Sequence, residues 1–92
     1  MNLDTFDKHR IELAKPLLLI KCSNGVLACG YLNVDTFNKT GEACAIVTGV
    51  SDYDEMLSAS VASASAAAME MGVVVGDTGA EALSKMTAKK VI

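Results

Sequence analysis

Two apolar runs, residues 17–22 and 26–34, are separated only by Ser23-Asn24-Gly25. A chain with that pattern is strongly biased towards a hairpin. Asn-Gly is the preferred pair for a two-residue type I′ turn, whose central residues both take positive φ. With Asn24 and Gly25 as the turn, Cys22 opposes Leu27, Ile20 opposes Cys29 and Leu18 opposes Tyr31. Those residues and Asn33 share one face of the ribbon. Leu17, Leu19, Ala28, Gly30, Leu32 and Val34 share the other. Both faces are mainly apolar, so both are expected to be covered. Cys22 and Cys29 become diagonal neighbours, about 7–8 Å apart. That is beyond comfortable disulfide geometry, and both are expected to stay thiols.

The flanking segments extend the sheet. His9, Ile11 and Leu13 alternate with Lys8, Arg10 and Glu12, a half-buried edge strand over about 9–13. Pro16 breaks it, since it has no N–H for a ladder. Strands are expected over about 17–23, 26–34 and 43–50. Asp35 suits a helix N-cap and Gly41 a C′ position, which leaves little more than one helical turn between them. The connection from Val34 to Ala43 is short for a parallel crossover, so an antiparallel or offset placement is expected. Ser51 or Asp52 caps a helix over about 52–58, with acids in its first turn. Val61, Ala64, Ala68 and Met71 recur at helical spacing in a Ser/Ala-rich stretch. They predict a helix over about 60–71, ended by Gly72. Residues 73–75 read as a short strand, and the connection from Val50 is long enough to make it parallel. Thr78 and Glu81 form a capping box for a last helix over about 78–87, with Ala82, Leu83 and Met86 inward. The fold class is α+β. A small mixed, largely antiparallel sheet of four or five strands is packed by two or three helices. One domain spans residues 1–92, with 1–7 and 87–92 as loose ends.

Composition narrows the function classes. The chain is 51% hydrophobic but only 4% aromatic, with no Trp. Its core must be made of small aliphatic side chains that bury little area each. Apolar excess on so short a chain suggests a second subunit covers part of it, and a homo-oligomer is expected. A net charge of −3 argues against nucleic acid as a partner. The run over residues 56–76 holds one charge, Glu70, but is too rich in Ser and Ala to span a membrane. No signal-peptide pattern opens the chain, and three cysteines fit reduced thiols, so the cytoplasm is expected.

Most catalytic signatures are missing. A single histidine, His9, excludes a two-His metal site within one chain. There is no G-x-S-x-G, no G-x-G-x-x-G and no Walker-type Gly-Lys-Ser/Thr. No metal or cofactor is assigned. Cys29 is the weak catalytic candidate. It precedes Gly30, where a missing side chain could admit a ligand, and shares a strand face with Tyr31 and Asn33. A nucleophilic cysteine needs a cation, base or helix N-terminus to lower its pKa. The sequence shows none, and a small buried hydrophobe is the commoner role. Thr48-Gly49-Val50-Ser51-Asp52 runs from a strand end into a helix start, where α/β ligand sites form. Asp52, Asp54 and Glu55 would repel phosphate there. Capping alone also explains Asp77-Thr78-Gly79.

The segments LLLIK, ACGYLN, AIVTGVSDYDEML, VVVG and TGAEALSKM, in that order, resemble the YunC-like family of domains of unknown function. These are small proteins of bacteria and archaea. The resemblance covers residues 16–86 and departs at the N-terminus, where relatives tend to have a longer β segment. It implies a compact α+β fold and no particular activity. It also implies that Cys29, Tyr31, Asn33, Thr48 and Gly49 act together as a ligand-binding set. Three functional readings follow. The first is a self-associating module that binds an unknown small molecule. The second is an enzyme using Cys29, and the third an accessory subunit that docks on another protein.

Overall fold

The computed structural model describes residues 6–87. Its strands are β1 (Asp7–Ile11), β2 (Leu17–Lys21), β3 (Val26–Ala28), β4 (Cys44–Val47) and β5 (Val61–Ala64). Its helices are α1 (Val34–Thr40), α2 (Tyr53–Ser58), α3 (Ala66–Glu70) and α4 (Gly79–Thr87). The strands form one sheet in the order β1-β2-β3-β4-β5. Only β3 and β4 pair in parallel; the other three neighbours are antiparallel. The α+β class and the mixed, largely antiparallel sheet are as the sequence predicts. Phe6 packs against the core, and Asp7 and Thr87 lie in regular elements rather than in loose ends; residues 1–5 and 88–92 lie outside the described residues.

The hairpin is present, but its turn sits one residue earlier than predicted. Ile20 pairs with Leu27 and Leu19 with Ala28. The Cys22 N–H donates to the Gly25 carbonyl at 2.9 Å, which leaves Ser23-Asn24 as the loop. Neither Asn24 nor Gly25 has positive φ, so the turn is not type I′. Gly25 is required for a different reason. A Cβ there would lie 2.5 Å from Met86 Sδ and 3.1 Å from the Ala43 carbonyl oxygen. The absent side chain lets α4 and the start of β4 close on the turn. The slip changes the pairing by two residues, an even number, so Leu18, Ile20, Leu27 and Cys29 keep their shared face and Leu19 and Ala28 the other.

Two cores result. Leu18, Ile20, Cys22, Leu27, Cys29, Ala45 and Val47 pack with Met56 of α2, Ala68 of α3 and Ala82, Leu83 and Met86 of α4. On the opposite face Ala28, Cys44 and Ile46 pack beneath Leu32, Val34 and Phe37, the last two from α1. Cys22, Cys29 and Cys44 are all buried free thiols. In the observed register Cys22 and Cys29 are four positions out of step, roughly 13 Å along the strands.

Five expectations are corrected. The first strand is shifted to residues 7–11 and is exposed throughout, so His9 is not on a half-buried face. β3 stops at Ala28 instead of Val34 because Cys29 opens a turn, its carbonyl accepting the Leu32 N–H at 3.1 Å. That frees residues 29–43 to act as a crossover through α1, so β4 pairs with β3 in parallel and not in the antiparallel or offset placement expected from a short Val34–Ala43 connection. Residues 60–71 are not one helix. Val61–Ala64 is a strand beside β4, with Ala45 opposite Ala64 and Ile46 opposite Ser63. Residues 44–47 are fully buried, so their outer backbone groups need partners. That need outweighs the helix propensity of alanine, worth under about 1 kcal/mol per residue. Residues 73–75 are not a strand. Val73 is in the core, while Val74 and Val75 are exposed in a loop between Gly72 and Gly76, both at positive φ. The outer edge of β5 is instead met by the next segment. Val61 N–H donates to the Asp77 carbonyl at 2.7 Å, and Ser60 bridges Thr78. The capping box is as predicted: Thr78 N–H donates to Glu81 Oε1 at 2.8 Å and Glu81 N–H to Thr78 Oγ1 at 3.1 Å.

Candidate functional site

Parallel pairing sends β3 and β4 out of the sheet side by side, at Cys29-Gly30 and Thr48-Gly49. β2 enters beside them at Pro16. These ends frame a cleft of about 230 Å³. Its walls are Lys15 and Pro16, then Cys29, Gly30 and Tyr31, then Gly49 and Val50. In open sheets with parallel strands, ligands bind in the crevice outside the carboxyl ends, which is where this cleft lies.

Each wall has a local cause. Cys29 extends the β2 pairing by one residue, its N–H donating to the Leu18 carbonyl at 3.2 Å. The Leu18 N–H in turn donates to Cys29 Sγ at 3.3 Å. Cys29 is 3% exposed, packs in the core and borders the cleft. Gly30 keeps the opening clear: a Cβ there would lie 3.4 Å from Thr48 Cγ2. Gly49 turns the chain at φ +72°, a conformation that L side chains rarely adopt. Tyr31 is half exposed, and its Oη accepts the Lys15 N–H at 3.2 Å, which ties the β1–β2 hairpin to the turn after β3.

Of the predicted residues, Cys29, Tyr31 and Gly49 line the cleft and Thr48 stands behind Gly30. Asn33 does not join them. It is the N-cap of α1, its Oδ1 accepting the Asp35 N–H at 2.8 Å, in place of the predicted Asp35 cap. The cause is the early end of β3, which takes Asn33 off the strand face it was assigned to. Lys15, Pro16 and Val50 were not predicted. Pro16 was read only as a strand breaker, and strand breakers beside a sheet end are where cleft walls arise.

Electrostatics separate the three thiols. Burial pushes Cys44 up to about 12, with the nearby Glu42 carboxylate adding to the shift. Cys44 is therefore a packing residue beneath α1. Cys22 Sγ lies 3.3 Å from the Gly25 carbonyl and is tied to the hairpin turn. Only Cys29 borders the cleft. His9 does not reach that wall, so it cannot serve Cys29 as a base there. The acids after Val50 are engaged locally. Asp52 Oδ1 accepts the Glu55 N–H at 2.7 Å, and Glu55 Oε1 accepts the Ser51 N–H at 2.6 Å.

A second depression of about 320 Å³ lies at the other end of the strands, between the Ser23–Gly25 turn, the Gly41–Ala43 loop and α3. It carries both Lys21 and Glu42 and sits at the amino ends of the parallel pair. Among the described residues no group of three or more His, Cys, Asp or Glu is placed to hold a metal ion. No helix among them is long and apolar enough to cross a membrane.

Sequence analysis also missed Ser65, the one fully buried polar side chain among the described residues. Its Oγ donates to the Glu42 carbonyl at 2.8 Å and accepts from the Cys44 N–H at 2.9 Å and the Ala68 N–H at 3.3 Å. It fixes the entry of β4, and so the direction in which Thr48 and Gly49 leave the sheet.

Comparison with known proteins agrees with this fold. None of the curated proteins matches the chain. Among solved structures, a protein of unknown function, TA1206 from Thermoplasma acidophilum, is similar with 36% sequence identity and a TM-score of 0.76. The match covers 88% of this chain and 92% of that one. Residues 28–86, which run from the end of β3 through α4 and include Cys29, Tyr31, Thr48 and Gly49, match the family described as Domain of unknown function (DUF1805), and the chain belongs to that family.

Proposed function

We propose that this chain is a self-associating cytoplasmic module that binds a small molecule in the cleft between residues 29–31 and 48–50. One observation carries the reading: the carboxyl ends of the only parallel strand pair among the described strands meet at a glycine-lined opening bordered by Cys29. The YunC-like resemblance is part of the same proposal, since CGYLN and IVTGV are the segments that supply the cleft. A net charge of −3 argues against nucleic acid. Self-association is supported by Ile11, Leu13, Met69, Met71, Val74 and Val75, large apolar residues that are 40–62% exposed. Mass measured in solution tests that part: a dimer or larger is expected at micromolar concentration, and a monomer there contradicts it.

A catalytic Cys29 is the second reading. What favours it is the Leu18 N–H, which donates to the Cys29 sulfur at 3.3 Å and fixes where the thiol sits. Alkylation across a pH series separates the two. A binding module gives a Cys29 that stays slow to react across neutral pH. A nucleophile reacts fast and flat through neutrality.

A further inference from the structure

The cleft carries a chemical preference, and the inference rests on the ligand-binding reading above. Lys15 is the one charged residue in its wall, and no carboxylate lines it. In a chain with 11 acids and 8 Lys and Arg, a wall of that kind runs against the overall balance. The nearest carboxylates in sequence are engaged. Glu12 pairs with Arg10, and Asp52 and Glu55 hold the start of α2. Lys15 has no ion-pair partner among the described residues. Tyr31 Oη accepts the Lys15 N–H, so its own hydrogen is left to donate outward. The exposed Gly30 and Gly49 N–H groups donate no hydrogen bond among the described residues. The opening thus carries one cation, a hydroxyl donor and two free N–H groups and no carboxylate, with Pro16 and Val50 as apolar walls. At about 230 Å³ it is smaller than the roughly 300–1,000 Å³ of drug-sized pockets.

We propose that the cleft binds a small monocarboxylate with an apolar body, its carboxylate at Lys15 and Tyr31. One cation suits one negative charge, which disfavours a phosphate dianion. The test is amide shift mapping of the full chain with butyrate and benzoate, their neutral amides butyramide and benzamide, and inorganic phosphate. Saturable shifts at Gly30 and Gly49 are expected with the carboxylates. Binding should be at least about tenfold weaker for the amides, and for the carboxylates in Lys15→Met, since one charged hydrogen bond is lost. Lys39→Met on α1 should leave it unchanged. Amides that bind as tightly as the acids, phosphate that binds more tightly than butyrate, or a Lys15→Met variant with full affinity would overturn the carboxylate assignment and leave the cleft standing. Shifts absent from the cleft with every probe would overturn both.

Discussion

Two glycines do different jobs, and substitution separates them. Gly79 lies where the start of α4 crosses α2. A Cβ there would fall 1.9 Å from the Met56 carbonyl oxygen, which is backbone and cannot step aside. Gly79→Ala is expected to cost roughly 3 kcal/mol or more in urea denaturation. Gly41 is at φ +79° with open space around it. Gly41→Ala therefore meets only backbone strain, about 1 kcal/mol. Equal costs for the two would show that the α2–α4 contact is looser than described. Ser65 is the polar counterpart. Ser65→Ala strands the Cys44 and Ala68 N–H groups and the Glu42 carbonyl in a dry site, and the expected loss is about 2–3 kcal/mol. The cysteines differ too. Alkylation at neutral pH should modify Cys29 before Cys44, whose pKa is held near 12 by burial.

The loop from Gly72 to Thr78 is fastened to α4 by one ion pair. Lys85 Nζ lies 2.7 Å from Asp77 Oδ2, which also accepts the Val74 N–H at 3.0 Å. The Lys85 hydrogen bond, then the Val74 N–H, hold the Asp77 carboxyl below its ordinary value. A depressed carboxyl stabilises the fold fully above its unfolded value and loses that contribution as pH falls through the folded one. Wild type should therefore lose stability on acidification over that range more steeply than Asp77→Asn. Parallel acid limbs in thermal melts of the two would contradict the assignment. The same segment shows where sequence is legible. The Thr78–Glu81 box, the Asp52 cap and the Leu18/Ile20/Leu27/Cys29 face could be read because each depends on residues close together in the chain. The strand at residues 61–64 could not. Its identity is set by the unpaired edge of β4, and alanine spacing carries no record of that. Ending β3 at Val34 hid both the parallel pair and the Asn33 cap. Cys29, Tyr31, Thr48 and Gly49, grouped with Asn33 by the family resemblance alone, come together at the cleft without Asn33.

How the molecule assembles depends on which surface stays open. β1 is a fully exposed edge, but its charges oppose self-pairing. A two-fold axis through His9 would set Lys8 against Arg10, and one through Lys8 would set it against its own copy. Like charges directly opposed destabilise such pairs. Self-association is therefore expected through another surface, and Lys8→Val with Arg10→Val should raise the mass in solution by opening this edge. An unchanged mass would remove charge as the guard. Whatever the assembly, the functional reading turns on the opening where β3 and β4 leave the sheet. Amide shift mapping of the whole chain against a diverse library of fragment-sized molecules tests that most directly. Hits should converge on residues 29–31 and 48–50. Hits that gather instead on the Ser23–Gly25 turn and the Gly41–Ala43 loop, or scatter evenly over the surface, would contradict it.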